Sequence, residues 1–222
     1  MKENETCIVG MARAATYKLL AECYYPPVEE MLQHASELGR SLKTVNSPVA
    51  EAVGRMEAAL LSAGGFDELA IDHARLFVGP FALLAPPYGS IYLEGERRLM
   101  GDSTLDAGEC YNEVGLEVAS GFNGTPDHIA VELEFMHYLV IKEIEAQADG
   151  DLVRARHYRQ KQGSFLERHL AAWVPDFSRR VEELAQTPFY QGLAAATRMF
   201  IESDFDRYRA ELPVLVGARA TA

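Results

Sequence analysis

Thr125–Asp151 reads TPDHIAVELEFMHYLVIKEIEAQADGD. Ile129, Leu133, Met136, Val140 and Ile144 recur at helical spacing, and Val131, Phe135, Tyr138, Leu139 and Ile141 cover the remaining faces. A helix apolar nearly all round has no side to turn to water, so the segment predicts the central helix of an all-helical domain. Thr125-Pro126 reads as an N-cap followed by a first-turn proline. Gly150 suits the position just past the helix end, and Asp151 can cap the next helix. So short a joint makes that next helix an antiparallel neighbour.

Outward from this segment the chain reads as helix nearly throughout, with helices expected near 5–24, 27–42, 48–62, 66–78, 103–115, 152–170, 175–185 and 188–208. Ser47-Pro48 and Thr187-Pro188 repeat the cap-and-proline pattern. No segment alternates with a period of two, so no sheet is expected. Leu76–Leu93 (LFVGPFALLAPPYGSIYL) is uncharged and about long enough for a membrane span, but Gly79, Pro80, Pro86, Pro87 and Gly89 would break a spanning helix. It reads instead as a helix end followed by an apolar, proline-rich loop. The expected architecture is a single all-α domain over 1–222 of about nine to ten helices: an N-terminal helical layer 1–78, a loop 79–101 and a C-terminal layer 102–210. The closing LPVLVGARATA is small-residue-rich and reads as a frayed tail.

The 222 residues carry 21 Lys and Arg against 33 Asp and Glu, a net charge of −12. Phosphate-backbone binding needs clustered basic residues, and an anionic membrane surface repels this charge, so neither nucleic acid nor direct membrane insertion is expected. The acids concentrate between Asp102 and Asp151, where twelve face a single base, Lys142. The next stretch, Leu152–Arg180, has seven bases and two acids. These stretches either neutralise each other or leave an acidic surface for a cationic partner. Cys7, Cys23 and Cys110 are odd in number and form no CxxC, so they read as ordinary thiols of a reducing compartment. The first twenty residues place acids where a secretory signal has its basic region, and Arg13 interrupts any apolar stretch, so no such signal is expected.

Three constellations carry chemistry. Glu134 and His137 have the Glu-x-x-His spacing of di-iron bundles, but no other histidine has a glutamate three residues before it, and half a motif reads as structural. There is no GxSxG elbow and no phosphate loop of the GxxxxGK[ST] kind. The loop Pro86-Pro87-Tyr88-Gly89-Ser90-Ile91-Tyr92 pairs stiffening prolines with two amphipathic tyrosines, which suits either a binding surface or a plug between helical layers. Asp127, His128 and Glu132 sit at the mouth of the central helix. They read either as capping residues or as a carboxylate–imidazole–carboxylate grip for a guanidinium.

Taken in order, His73-Ala-Arg-Leu-Phe-Val-Gly-Pro80, Pro86-Pro-Tyr-Gly-Ser-Ile-Tyr92 and Pro126-Asp-His-Ile-Ala-Val-Glu-Leu-Glu-Phe-Met136 resemble the TorD/DmsD family of redox-enzyme maturation chaperones. So do His169-Leu-Ala-Ala-Trp-Val-Pro-Asp-Phe177 and Pro188-Phe-Tyr190. The likeness covers roughly 66–205. It implies a cytoplasmic, all-helical, non-enzymatic chaperone without a cofactor of its own. Its partners would be the twin-arginine signal peptide and the apo form of a molybdenum-cofactor oxidoreductase, held back from export until the cofactor is inserted.

The family's binding surfaces carry over to Pro86, Pro87, Tyr88, Ser90 and Tyr92 in the loop and to Asp127 and His128 at the helix start. Glu132, one turn on, joins them by helix geometry alone. The expectation is that Asp127 and Glu132 engage the arginines while the Tyr88/Tyr92 loop takes the apolar part of the peptide. Some members have tryptophans where this chain has Tyr88 and Tyr92, so the peptide preference does not transfer. Guanine-nucleotide binding and domain-swapped dimers are associated with some members, so a monomer and a swapped dimer both stay open, while no phosphate loop here supports nucleotide binding. Two other classes also stay open: a metal-dependent helical-bundle enzyme using Glu134 and His137, and a structural subunit of a reductase complex.

Overall fold

The computed structural model describes residues 2–45, 49–62, 65–79, 83–94 and 100–217. These form helices α1 (Lys2–Tyr24), α2 (Met31–Thr44), α3 (Ala50–Leu61), α4 (Gly65–His73), α5 (Ser90–Leu93), α6 (Asp102–Asn112), α7 (Ile129–Ala148), α8 (Leu152–Arg168), α9 (Leu170–Leu184) and α10 (Pro188–Gly217). Among the described residues there is no strand, only one isolated antiparallel bridge between Tyr88 and His128. No described helix is long and apolar enough to cross a membrane.

The central helix lies where the pattern placed it. α7 buries Ile129, Leu133, Met136, Leu139 and Val140 and packs between α1 and α8, while α10 packs on α3 and α9. Elements from before and after the proline-rich loop therefore share one core, in which Tyr17, Leu20, Trp173, Phe177, Phe189 and Tyr190 are essentially inaccessible to solvent. Each such side chain contributes about 1.5–3 kcal/mol through lost water contact. α2 shows the amphipathic rule plainly, burying Met31, Ala35, Leu38 and Leu42 at helical spacing.

Several boundaries differ from expectation for local reasons. The helix expected to end near 78 is α-helical only to His73. It widens into a π-turn over Ala74–Val78, closed by the Gly79 N–H bonding back to the Ala74 carbonyl. Gly79 then turns the chain with φ of 53°, a conformation glycine adopts without steric cost. The break expected between 170 and 175 falls at His169, and α9 runs straight through Pro175, because Leu170, Trp173, Val174, Phe177 and Val181 form one continuous buried stripe. Residues 90–93, read as loop, make a single helical turn. At α10, Thr187 caps as expected, its Oγ1 accepting from the Tyr190 N–H, and the helix continues well beyond 208. Ser47-Pro48 lies outside the described residues.

The acidic and basic stretches do meet. Lys161 pairs with Glu113 at 2.8 Å, Arg168 pairs with Asp106, and Arg154 pairs with Asp149 and Asp151 across the α7–α8 joint. Exposed pairs of this kind are worth under about 1 kcal/mol each, so they steer helix register more than they stabilise it.

Candidate functional site

The proline-rich loop and the start of α7 are one structure. The Ile129 N–H donates to the Pro87 carbonyl at 2.9 Å, and the Gly89 N–H to the Asp127 carbonyl at 2.9 Å. The Asp127 side chain completes the joint: its Oδ2 accepts the Ser90 N–H at 2.8 Å, capping α5, and its Oδ1 accepts from the Thr125 hydroxyl. The cap of α7 is His128, three residues later than Thr125. Its backbone is extended (φ −70°, ψ 136°) and its Nδ1 accepts the Ala130 N–H at 3.2 Å. The bond between loop and helix decides this shift: once Asp127 faces the loop, helical geometry starts only at Ile129.

His128 lies among three rings: Tyr88 and Phe122 edge-on at 5.2 and 5.3 Å, and Tyr25 stacked at 6.4 Å. Burial pushes its pKa down to about 4 against a weaker pull from Asp127, so the imidazole is neutral near pH 7 with its proton on Nε2.

Glu132 is fully buried; its Oε2 accepts the Trp173 indole N–H at 2.9 Å, and burial holds its carboxyl protonated well above the usual range. Trp173 in turn stacks on Tyr92, with centroids 5.6 Å apart and planes at 20°. Gly89 is glycine because of this indole: a Cβ there would lie 3.0 Å from Trp173 Nε1.

The eight residues singled out from the sequence thus come together, but in a different state from the one expected of them. Pro87, Ser90, Asp127, His128 and Glu132 are buried, while Pro86, Tyr88 and Tyr92 are half-buried. The reading of Asp127 and Glu132 as carboxylates facing a guanidinium is corrected in this conformation. Asp127 is consumed by the Ser90 N–H and the Thr125 hydroxyl, and Glu132 is sealed under Trp173. They build the surface from beneath. Glu134 and His137 likewise bond to different partners, Glu134 accepting the Tyr25 hydroxyl at 3.1 Å while His137 Nδ1 bonds the Ala14 carbonyl at 2.9 Å.

What faces outward beside His128 is an apolar groove of about 550 Å³. Tyr25, Leu116, Val118, Phe122, Val131 and Phe135 line it, and Glu117 and Glu134 stand exposed at its edge. Sequence reasoning missed this groove. The tandem Tyr24-Tyr25-Pro26-Pro27 at the end of α1 was the available signal, an aromatic–proline cluster like that of the Tyr88 loop. A second hollow of similar size lies on the other side of the loop, between Pro86, Ile91 and Tyr92 and the α9 residues Arg180 and Glu183.

Residues 43–179 match the family model described as nitrate reductase delta subunit. The chaperone protein TorD of Shewanella pealeana is 26% identical over 219 residues, covering 92% of this chain and 93% of its own. The Tat proofreading chaperone DmsD of Salmonella typhi is 34% identical over 125 residues, covering 56% of this chain and 54% of its own. In fold, the chain superposes on a solved structure assigned as a redox enzyme maturation protein of Archaeoglobus fulgidus. The TM-score is 0.53 at 22% identity, over 85% of this chain and 93% of that one. The protein is therefore a member of the nitrate reductase delta subunit family, and within it of the TorD/DmsD redox-enzyme maturation chaperones.

Proposed function

We propose that this protein is a cytoplasmic chaperone that binds the twin-arginine signal peptide of a molybdenum-cofactor oxidoreductase and holds the apoenzyme until its cofactor is inserted. The observation that carries the reading is the apolar groove beside His128 with Glu117 and Glu134 at its edge. A twin-arginine signal presents two guanidiniums and then an apolar stretch, and the groove offers the complement: exposed carboxylates beside aromatic and aliphatic walls. The half-buried Tyr88 extends the aromatic wall through its contact with His128. Asp127 and Glu132 act indirectly, by holding the loop and the indole that shape this surface.

Calorimetry with a twin-arginine signal peptide tests the reading. Glu134→Gln and Glu117→Gln should each weaken binding by a few-fold at low salt, and together remove most of its salt dependence, since exposed pairs are screened over about 8 Å at physiological ionic strength. Phe122→Ala should weaken binding regardless of salt. Unchanged affinity in all three variants removes the groove from the binding surface.

A further inference from the structure

Asp106 of α6, Cys110 one turn along the same helix, and His169 at the α8–α9 junction converge. One ligand atom from each lies within 4.8 Å of the others. The pair His169 Nε2 and Asp106 Oδ2 is 2.7 Å apart. The centre of the cluster is already held by a cation: the Arg168 guanidinium contacts both Asp106 oxygens and the Cys110 sulfur, the latter at 3.1 Å.

Behind the cluster, His169 Nδ1 faces Glu132 Oε1 at 3.6 Å. Both atoms are buried, on residues 1% and 0% exposed, and neither makes a hydrogen bond. An imidazole with one nitrogen toward a carboxylate and a thiol and the other backed by a buried carboxyl is the arrangement that orients a metal-ligating histidine.

We propose that Asp106, Cys110 and His169 form a site for a zinc-type divalent cation, entered when the Arg168 side chain swings out to solvent. The donor set of one carboxylate, one thiolate and one imidazole suits borderline-soft Zn²⁺ and leaves a fourth position open to water. Charge balances in both states. Without metal, the Asp106 carboxylate faces the Arg168 guanidinium and accepts the His169 Nε2–H; with metal, carboxylate plus thiolate neutralise two positive charges, the thiol proton passing to solvent and the imidazole proton moving from Nε2 to Nδ1. The exchange is accessible because the Arg168 and Asp106 side chains are 45% and 36% exposed, so releasing the guanidinium leaves no buried unpaired charge. Bound metal would pin α6 to the α8–α9 junction and fix His169 with Nδ1–H toward Glu132, the residue that holds the Trp173 indole against Tyr92. The site thus lies behind the loop without being part of the peptide groove, and it stands independently of the signal-peptide reading.

The full chain, stripped with a chelator under reducing conditions, is titrated with Zn²⁺ against a chromogenic competitor and separately with Co²⁺. The expected result is one equivalent bound, a thiolate-to-cobalt charge-transfer band, and a change in the emission of Trp173, the protein's one tryptophan. Cys110→Ser should abolish the band, and His169→Gln should weaken zinc about tenfold or more. Arg168→Met should tighten it, which a purely structural ion pair would not do. Cys7→Ser should change nothing. Circular dichroism checks that each variant folds; should His169→Gln fail, Cys110→Ser and Arg168→Met decide. Substoichiometric uptake by the wild type, a band that survives Cys110→Ser, or looser binding by Arg168→Met overturns the proposal.

Discussion

Asp127 Oδ2 accepts the backbone N–H of Ser90, thirty-seven residues away, at 2.8 Å, with both residues shut off from solvent. One carboxylate thereby caps the single turn of α5, and with the Gly89 and Ile129 backbone bonds it welds the proline-rich loop to the start of α7. The contribution of Asp127 is architectural, and it determines where Tyr88 and Tyr92 stand.

Asp127→Ala should therefore lower stability by about 1–3 kcal/mol, because the Ser90 N–H is left buried and unpaired. Asp127→Asn keeps one acceptor and should lose less. Urea unfolding monitored by Trp173 emission measures both, and equal stability of Asp127→Ala and wild type would show that the loop is not anchored this way.

Glycine at 89 and glycine at 54 should respond oppositely to alanine. At Gly89 the new methyl meets the Trp173 ring at 3.0–3.3 Å, displacing the indole from Tyr92 and Glu132, at a cost of about 1–3 kcal/mol. At Gly54, inside exposed α3 surface, nothing lies within 4 Å, and alanine should stabilise by up to about 1 kcal/mol through helix propensity. Thermal melts of the two variants settle the pair.

Acid should act partly through His128. Its pKa is lowered from 6.5 to about 4 on folding, so between those values the unfolded chain binds the proton and the native chain does not. The stability held by neutral His128 is complete above about pH 6.5 and is lost as pH falls toward 4. By 1.36 kcal/mol per unit this amounts to roughly 3 kcal/mol. Asp127 pulls the value up and His73 pushes it down, so the wild-type curve alone does not isolate His128. His128→Asn keeps a side-chain cap without a titrating ring. Its stability should fall less steeply than that of the wild type between pH 6.5 and 4, and parallel curves would remove His128 as the cause.

At the other end of the bundle, Asp204 is fully buried between Arg13 Nε at 2.7 Å and the Tyr17 hydroxyl at 2.7 Å. Asp204→Ala leaves the Arg13 guanidinium, 5% exposed, facing Glu143 only at 3.8 Å and Gln162. Breaking a buried pair from one side should cost about 3–5 kcal/mol. Chemical denaturation checks this, and replacing both partners with apolar residues should recover much of the loss.

The fold was legible because helices are announced locally. The all-round apolar pattern of 129–144 needs no knowledge of the rest of the chain to be recognised as a central helix, and Gly150 with Asp151 marks its end within two residues. The loop and the α7 start were also legible as the two segments that matter, through the motifs they carry. Their electrostatic state was not. A carboxylate at a helix start looks the same in sequence whether it faces water or a neighbouring backbone. Asp127 is decided by Ser90, and Glu132 by Trp173, forty-one residues on. The groove beside His128 had only the Tyr24-Tyr25-Pro26-Pro27 tandem to announce one of its walls, since it joins Tyr25 to Phe122 and Glu134, about a hundred residues away.

From its sequence alone, this protein was bound to be an acidic, all-helical chain whose central helix and proline-rich loop resemble one chaperone family, because periodicity, capping residues and short motifs are properties of neighbouring residues. Only the tertiary structure decided which carboxylates meet solvent, which are consumed in joining loop to helix, and that Arg168 sits where Asp106, Cys110 and His169 converge. Burial depends on what packs above a residue, and partners that lie scores of positions away are brought there by the fold.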